Sequence, residues 1–245
     1  MCIRDRTELL RRAMEEDPEV QNHVLVRRDG MGGGTRIALW NRAGDSVYGM
    51  AARSARMVDS AEALLGGPVY HFQSKLTAKE AGGGGAWEWH QDYGYWYRSG
   101  FLMPDMASVF IALDPCRKEN GCLQVLKGSH RLGRIEHGIN TEQVGADMAR
   151  VEAAMTRMDL VYAEMDPGDA LFFHANTLHA SSANTSDRTR NVLLCCYSRA
   201  DNVPFMDKPN NKIMPIEKLD DDRVMDWLDK PLDAERPFAK ASPAA

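Results

Sequence analysis

The sequence predicts a mainly β fold: a double-stranded β-helix (jelly roll) with flanking and inserted α-helices. Three observations carry that expectation. Short runs rich in Val, Ile, Leu and Phe recur along the chain, bounded by Gly, Pro and Asp turns. Helical periodicity is confined to a few segments between them. No β-α-β alternation is visible, which argues against a Rossmann domain.

The elements follow in order. The first six residues, Met1 to Arg6, resemble translated sequencing-adapter read-through, and Glu8–Met14 reads as the tail of a helix without a start. Residues 1–245 are therefore expected to form a single domain whose natural N-terminus is missing, residues 1–6 being an assembly artefact. His23–Arg27 and Thr35–Trp40 read as strands around a Gly-rich turn. Val47–Leu65 reads as one helix closed by Gly66-Gly67-Pro68. Val69–Leu76 is strand-like, and Gly82–Gly85 reads as a mobile loop, either a lid or a plain connection. Met106–Leu113 is apolar on both faces, as a central strand would be, and Cys122–Leu126 is a short strand. Thr141–Met158 is the clearest predicted helix, with Val144, Met148, Val151 and Met155 on one stripe packed on a core. Strands resume at Leu160–Met165, Ala170–Phe173 and Asn191–Ser198. Asp220–Leu228 reads as a late helix and Pro237–Ala245 as a tail.

Composition narrows the function. Against 30 Lys+Arg stand 35 Asp+Glu, a net charge of -5, where a nucleic-acid binder should show a basic stripe. No apolar run approaches the roughly 20 residues that cross a bilayer. The charged N-terminus is no secretory signal. Cys2, Cys116, Cys122, Cys195 and Cys196 are odd in number and include no C-x-x-C pair, which favours reduced thiols in a cytoplasmic protein. Several nucleotide and hydrolase motifs fail. Gly30–Gly34 precedes a strand instead of a helix, so no helix N-terminus is there to hold a pyrophosphate. Walker, G-x-S-x-G and H-E-x-x-H motifs are absent.

One constellation survives. His90-x-Asp92 lies in the aromatic-rich stretch Trp87–Tyr97, and in an extended segment residues i and i+2 point to the same side. An imidazole and a carboxylate would thus meet one ion. Phe172–Ser182 then offers His174 and His179, and Arg188 and Arg190 lead into an apolar strand. Two histidines and one carboxylate make the facial triad of non-haem Fe(II) oxygenases, with open positions for a bidentate cosubstrate and O₂. A guanidinium nearby would grip the cosubstrate's far carboxylate. At the level of residues alone, His174 competes with His179 and Arg188 with Arg190. Arg190 sits nearer the apolar run, where an unpaired charge costs most.

Trp89–Trp96 resembles the iron-binding H-x-D segment of the phytanoyl-CoA dioxygenase family of Fe(II)- and 2-oxoglutarate-dependent oxygenases, which includes ectoine hydroxylases. Asn120–His130 resembles its N-G-x-L-x-V-x-x-G-[ST]-H signature, and Pro167–Arg190 resembles its distal histidine and oxoglutarate segment. The matching segments run from Tyr70 to Asn202. The resemblance implies His90, Asp92 and His179 as iron ligands, with Arg190 and Ser181 on the C5 carboxylate of 2-oxoglutarate. It implies cosubstrate or substrate contacts for Gln73 and Lys75, which stand 17 and 15 residues before His90, and a substrate pocket faced by Gln91 and Trp96. It implies Fe(II), 2-oxoglutarate and O₂ as cofactor and cosubstrates, and hydroxylation of a small organic molecule with release of succinate and CO₂. Asp92 stands where related halogenases carry a small residue, which favours hydroxylation. Gln91 and Tyr93-Gly-Tyr95 depart from the ectoine hydroxylase pattern and argue against ectoine itself. A small-molecule substrate is the expected partner, with no nucleic acid or membrane, for a monomer or weak homodimer. The competing readings are a non-catalytic jelly roll that binds a metal or small ligand, and a cupin-like metal hydrolase. His23, His71 and His137 receive no functional role, and Cys195 and Cys196 are read as core.

Overall fold

A computed structural model describes residues 3–16, 25–140, 143–208, 213 and 215–229. The expected tail Pro237–Ala245, residues 1–2, and His23 and Val24 lie outside them.

β5 (Met106–Ala112) shows how one strand sets the architecture. Every residue in it is buried. Val109 and Ile111 face helices, whereas Phe110 and Ala112 face the opposite sheet. A strand covered on both faces reads as a continuous apolar run because neither face meets water. β5 belongs to a six-stranded sheet ordered β1-β2-β3-β12-β5-β10. Its partners are β1 (Leu25–Arg28), β2 (Gly34–Trp40), β3 (Val69–Lys79), β10 (Ala170–His174) and β12 (Arg190–Arg199). All its pairings are antiparallel.

The second sheet is ordered β4-β11-β6-β9, built from β4 (Trp87–His90), β6 (Leu123–Leu126), β9 (Leu160–Ala163) and β11 (His179–Ser181). The hairpin β7 (His137–Asn140) and β8 (Gln143–Ala146) forms a small third sheet. Helices α1 (Ile3–Glu16), α2 (Val47–Arg53) and α3 (Ala55–Leu65) cover the outer face of the large sheet. The predicted jelly roll with flanking helices is the observed fold.

Three helical expectations change. The run 47–65 is two helices parted at Ser54, whose ψ of 140° breaks the helix. There the backbone pairs with Leu219 instead: Ala55 N–H donates to the Leu219 carbonyl at 2.8 Å and Leu219 N–H to the Arg53 carbonyl at 2.9 Å. The predicted helix 141–158 shrinks to α5 (Met148–Met155), capped by Asp147, whose carboxylate accepts from Arg150 N–H. Val144 lies on β8. Residues 141–142 lie outside the described residues. The stripe dissolves: Val151 is buried, but Met148 and Met155 are 36% and 38% exposed. The late helix expected over 220–228 is a 3₁₀ helix over 221–229.

Gly82–Gly85 is tied to the β1–β2 turn, with Gly34 N–H on the Gly83 carbonyl and Gly85 N–H on the Gly34 carbonyl, both at 3.1 Å. A Cβ on Gly33 would lie 2.7 Å from the Gly85 Cα, so this contact requires two glycines.

Candidate active site

β4 and β11 are neighbours, and their register sets His90 directly opposite His179. The two imidazole centroids are 4.0 Å apart. After Gln91 the chain turns into the short helix α4 (Asp92–Trp96), which brings Asp92 beside both rings. Asp92 Oδ1 lies 3.7 Å from His90 Nε2 and 3.9 Å from His179 Nε2. The ligating atoms of the three residues lie within 4.8 Å of one another, and all three residues are buried.

Each imidazole is oriented from behind. His90 Nδ1 is 2.7 Å from the Glu88 carbonyl and His179 Nδ1 is 2.8 Å from the Thr177 carbonyl. A carbonyl only accepts, so both Nδ1 atoms carry the proton and both Nε2 lone pairs face Asp92. Burial holds both imidazoles below their usual pKa; for His90 the neighbouring His179 adds to this, while for His179 Asp92 opposes it. Ser108 Oγ donates to Asp92 Oδ2 at 2.5 Å, which leaves Oδ1 toward the rings. Two neutral imidazoles and one oriented carboxylate suit a divalent ion such as iron, with backbone and hydroxyl groups behind each ligand.

His174 stands apart from this cluster, its Nδ1 accepting from Asn176 N–H and its ring against His130. Arg188 is exposed beside Asp187, whereas Arg190 is buried. Arg190 Nη1 donates to the Gly121 carbonyl at 2.8 Å, and its Nε has no partner among the described residues. Burial lowers its pKa.

A cavity of about 60 Å³ opens between the sheets, lined by His90, His179, Lys75, Lys79, Ser181 and Arg190 with Thr77, Phe110 and Trp87 among the remaining walls. That is several times the space one water needs. Lys79 is the residue sequence reasoning missed. It is 1% exposed, and its Nζ donates to Ser181 Oγ at 2.7 Å and to the Ser182 carbonyl at 2.5 Å. Burial, reinforced by Arg190, holds its pKa well below the ordinary value. The signal was available: Gln73, Lys75, Thr77 and Lys79 alternate along β3, so the face that offered the first two continues to the fourth.

Gln73 is half-buried, opposite Cys196 on β12. Gln91 and Trp96 do not line the cavity. The Gln91 carboxamide is fully buried and bonded to backbone groups. Trp96 is buried edge-on against Phe72, with centroids 5.5 Å apart. The structure gives the Gln91 carboxamide to backbone partners and the Trp96 indole to the apolar cluster of Phe72 and Phe101.

A family model of phytanoyl-CoA dioxygenase (PhyH) matches residues 4–192. The chain belongs to the phytanoyl-CoA dioxygenase family. Among characterised relatives, L-proline trans-4-hydroxylase of Streptomyces griseoviridis is 35% identical over 65% of this chain and 66% of its own length. An ectoine dioxygenase of Stutzerimonas stutzeri is 25% identical over 83% and 72%. The chain spans about half the length of the Halomonas elongata ectoine dioxygenase, 51%. The crystal structure of EctD from S. alaskensis with bound Fe shares the fold of this family member, with a TM-score of 0.71 at 22% identity over 88% of this chain and 80% of that one. Among the described residues no helix is long and apolar enough to cross a membrane.

Proposed function

We propose that this protein is an Fe(II)- and 2-oxoglutarate-dependent dioxygenase that hydroxylates a small organic molecule, releasing succinate and CO₂. The observation that carries the reading is the buried His90–Asp92–His179 cluster, whose two histidines line one cavity with Lys79, Ser181 and Arg190. His90, Asp92 and His179 would hold the iron. Iron chelated by 2-oxoglutarate supplies the activation of O₂.

The chain's own work is binding, orientation and exclusion of water. Arg190 keeps an Nε without a partner among the described residues beside the cavity, and Lys79 adds a second cationic group at the same end. An ammonium only donates, so Ser181 Oγ accepts from Lys79 and retains its own hydrogen for another acceptor. A dicarboxylate's far carboxylate meets all three needs. Phe110, Leu123 and Leu194 wall the cavity with apolar surface, which strengthens these charge interactions.

Lys75 lines the cavity near His90 and His179, close enough to lower the pKa of both. With the proline hydroxylase among the relatives, the substrate class we favour is a small amino or imino acid whose carboxylate Lys75 receives. Gln73 stands two residues before Lys75 on the same strand and would flank that substrate. The fold acts as one domain, as a monomer or weak homodimer. The cytoplasm is the proposed setting, because Cys116, Cys122, Cys195 and Cys196 are buried free thiols.

The test is an anaerobic titration with Fe(II) and 2-oxoglutarate, read by metal-to-ligand charge-transfer absorbance. Admission of O₂ in the presence of small amino and imino acids then gives succinate. The expected result is absorbance that needs both components. Absorbance that never develops, or succinate release that is unchanged without iron, overturns the proposal.

A further inference from the structure

Gln91 and His137 are fully buried beside the metal cluster, yet neither belongs to it. Gln91 is the residue at which β4 ends and α4 begins, with φ -109° and ψ 133°. Its peptide therefore governs how His90 and Asp92 are aimed relative to each other. A buried backbone N–H needs an acceptor. That acceptor is His137 Nε2, 3.0 Å away. The other nitrogen, Nδ1, lies 2.8 Å from the Ile135 carbonyl. An amide only donates and a carbonyl only accepts, so the ring is the neutral tautomer with its proton on Nδ1.

The Gln91 carboxamide ties the same point to two further segments. Its Oε1 accepts from Ile135 N–H at 2.7 Å, and its Nε2 donates to the Asn176 carbonyl at 2.9 Å and the Gly133 carbonyl at 3.2 Å. Asn176 lies in the turn that delivers His179. Space is equally constrained. A Cβ on Gly94 would lie 2.1 Å from the His137 ring, so the ring reaches Gln91 only because residue 94 has no side chain. The Tyr95 ring packs on both His137 and His90, with centroids 5.5 and 5.3 Å away.

We infer that His137, acting through the Gln91 peptide, is a positioning residue that aims His90 and Asp92 at a single ion. The inference rests on the reading of His90, Asp92 and His179 as metal ligands. Groups behind the ligands set how well a site is organised before metal arrives, and their loss costs about ten- to a hundredfold in metal affinity.

Mn(II), read by electron paramagnetic resonance under nitrogen, tests the idea without any substrate. The proteins compared are wild type, His137→Leu and His137→Gln. Leucine fills the space without an acceptor. Glutamine returns an oxygen to the place of Nε2. The expected result is a loss of about ten- to a hundredfold in Mn(II) affinity for the leucine variant, and recovery of most of it with glutamine. Wild-type affinity in a folded leucine variant overturns the inference, as does a glutamine variant as weak as the leucine one. Should the leucine variant not fold, nitrogen-15 shifts of the metal-free wild type decide, with the His137 signals assigned by their disappearance in His137→Gln. A proton on Nδ1 with a bare Nε2 supports the inference, and the opposite tautomer or an imidazolium refutes it. Wild type that takes up no Mn(II) instead overturns the ligand reading and removes the basis of the inference, a result distinct from a normal wild type with unaffected variants.

Discussion

Lys79 Nζ lies 2.7 Å from Ser181 Oγ, joining the end of β3 in the large sheet to β11 in the small one. Both side chains line the cavity that His90 and His179 also line. The contact brings a buried ammonium to the wall from which Arg190 also reaches. Among the described residues neither cation is hydrogen-bonded to a carboxylate; their partners are Ser181, Ser182 and Gly121. Asp29 and Asp114 offset the two charges from a distance, and a visiting anion in direct contact would offset them further.

Lys79→Met keeps the length of the side chain and removes its charge. The expected outcome is weaker 2-oxoglutarate binding, by about tenfold to a hundredfold, as for loss of a charge-assisted hydrogen bond worth about 1.5–3 kcal/mol. Titration calorimetry on Mn(II)-loaded protein measures it. The melting temperature should hold or rise, because a buried cation is replaced by an apolar chain of similar size. Unchanged affinity would place the cosubstrate elsewhere.

The same lysine predicts a pH dependence. Burial lowers the folded pKa of Lys79, so between that value and the ordinary lysine pKa the unfolded chain binds more protons than the folded one. Stability of the ligand-free protein therefore rises with pH through that window. An arriving carboxylate raises the pKa of Lys79 again, so within that window cosubstrate binding takes up a proton and affinity falls as pH rises. Calorimetry in buffers of different ionisation enthalpy reads the proton count, which should fall in Lys79→Met.

Asp92→Ala removes the carboxylate that faces both imidazoles. Loss of a first ligand should abolish the Fe(II)–2-oxoglutarate absorbance and succinate release together, since neither remaining imidazole supplies the missing anion. Ser108→Ala is milder. It frees Asp92 Oδ2 without removing a ligand, and a drop of about tenfold in metal affinity is expected. Equilibrium dialysis of Fe(II) under anaerobic conditions separates the two.

Much of this arrangement is legible in the order of residues alone. His90 and Asp92 share a short motif, Arg190 precedes an apolar strand, and the strands themselves announce their two-sided burial. What the sequence hides are effects of distance. The alternation along β3 puts Lys79 on the face of Gln73 and Lys75, but its place opposite Arg190 comes only from the pairing of β3 with β12. The family resemblance implies a pocket role for Gln91, but nothing local announces its partners, Gly133, Ile135 and Asn176, which come from remote segments. Tertiary hydrogen bonds of this kind leave no local pattern. The break at Ser54 is hidden for the same reason, since its partner Leu219 is far along the chain.

The misread helix at 141–158 yields the last prediction. Four apolar residues spaced like one stripe make a helix persuasive, yet Val144 pairs in a hairpin with Ile139. The Gln143 carboxamide holds the first part extended, accepting from Glu88 N–H at 3.0 Å and donating to the Ala86 carbonyl at 3.0 Å. Asp147 then starts the real helix, and only Val151 and Ala154 among its residues are buried. A continuous helix would make Met155→Gln and Val151→Ala similarly damaging. The observed fold separates them. Met155→Gln should change stability by less than about 0.5 kcal/mol, because the side chain already meets water. Val151→Ala should cost about 2 kcal/mol, from two lost methyl groups and the cavity they leave beside Leu126 and Leu178. Urea denaturation of the two variants measures both, and equal losses would restore the single long helix.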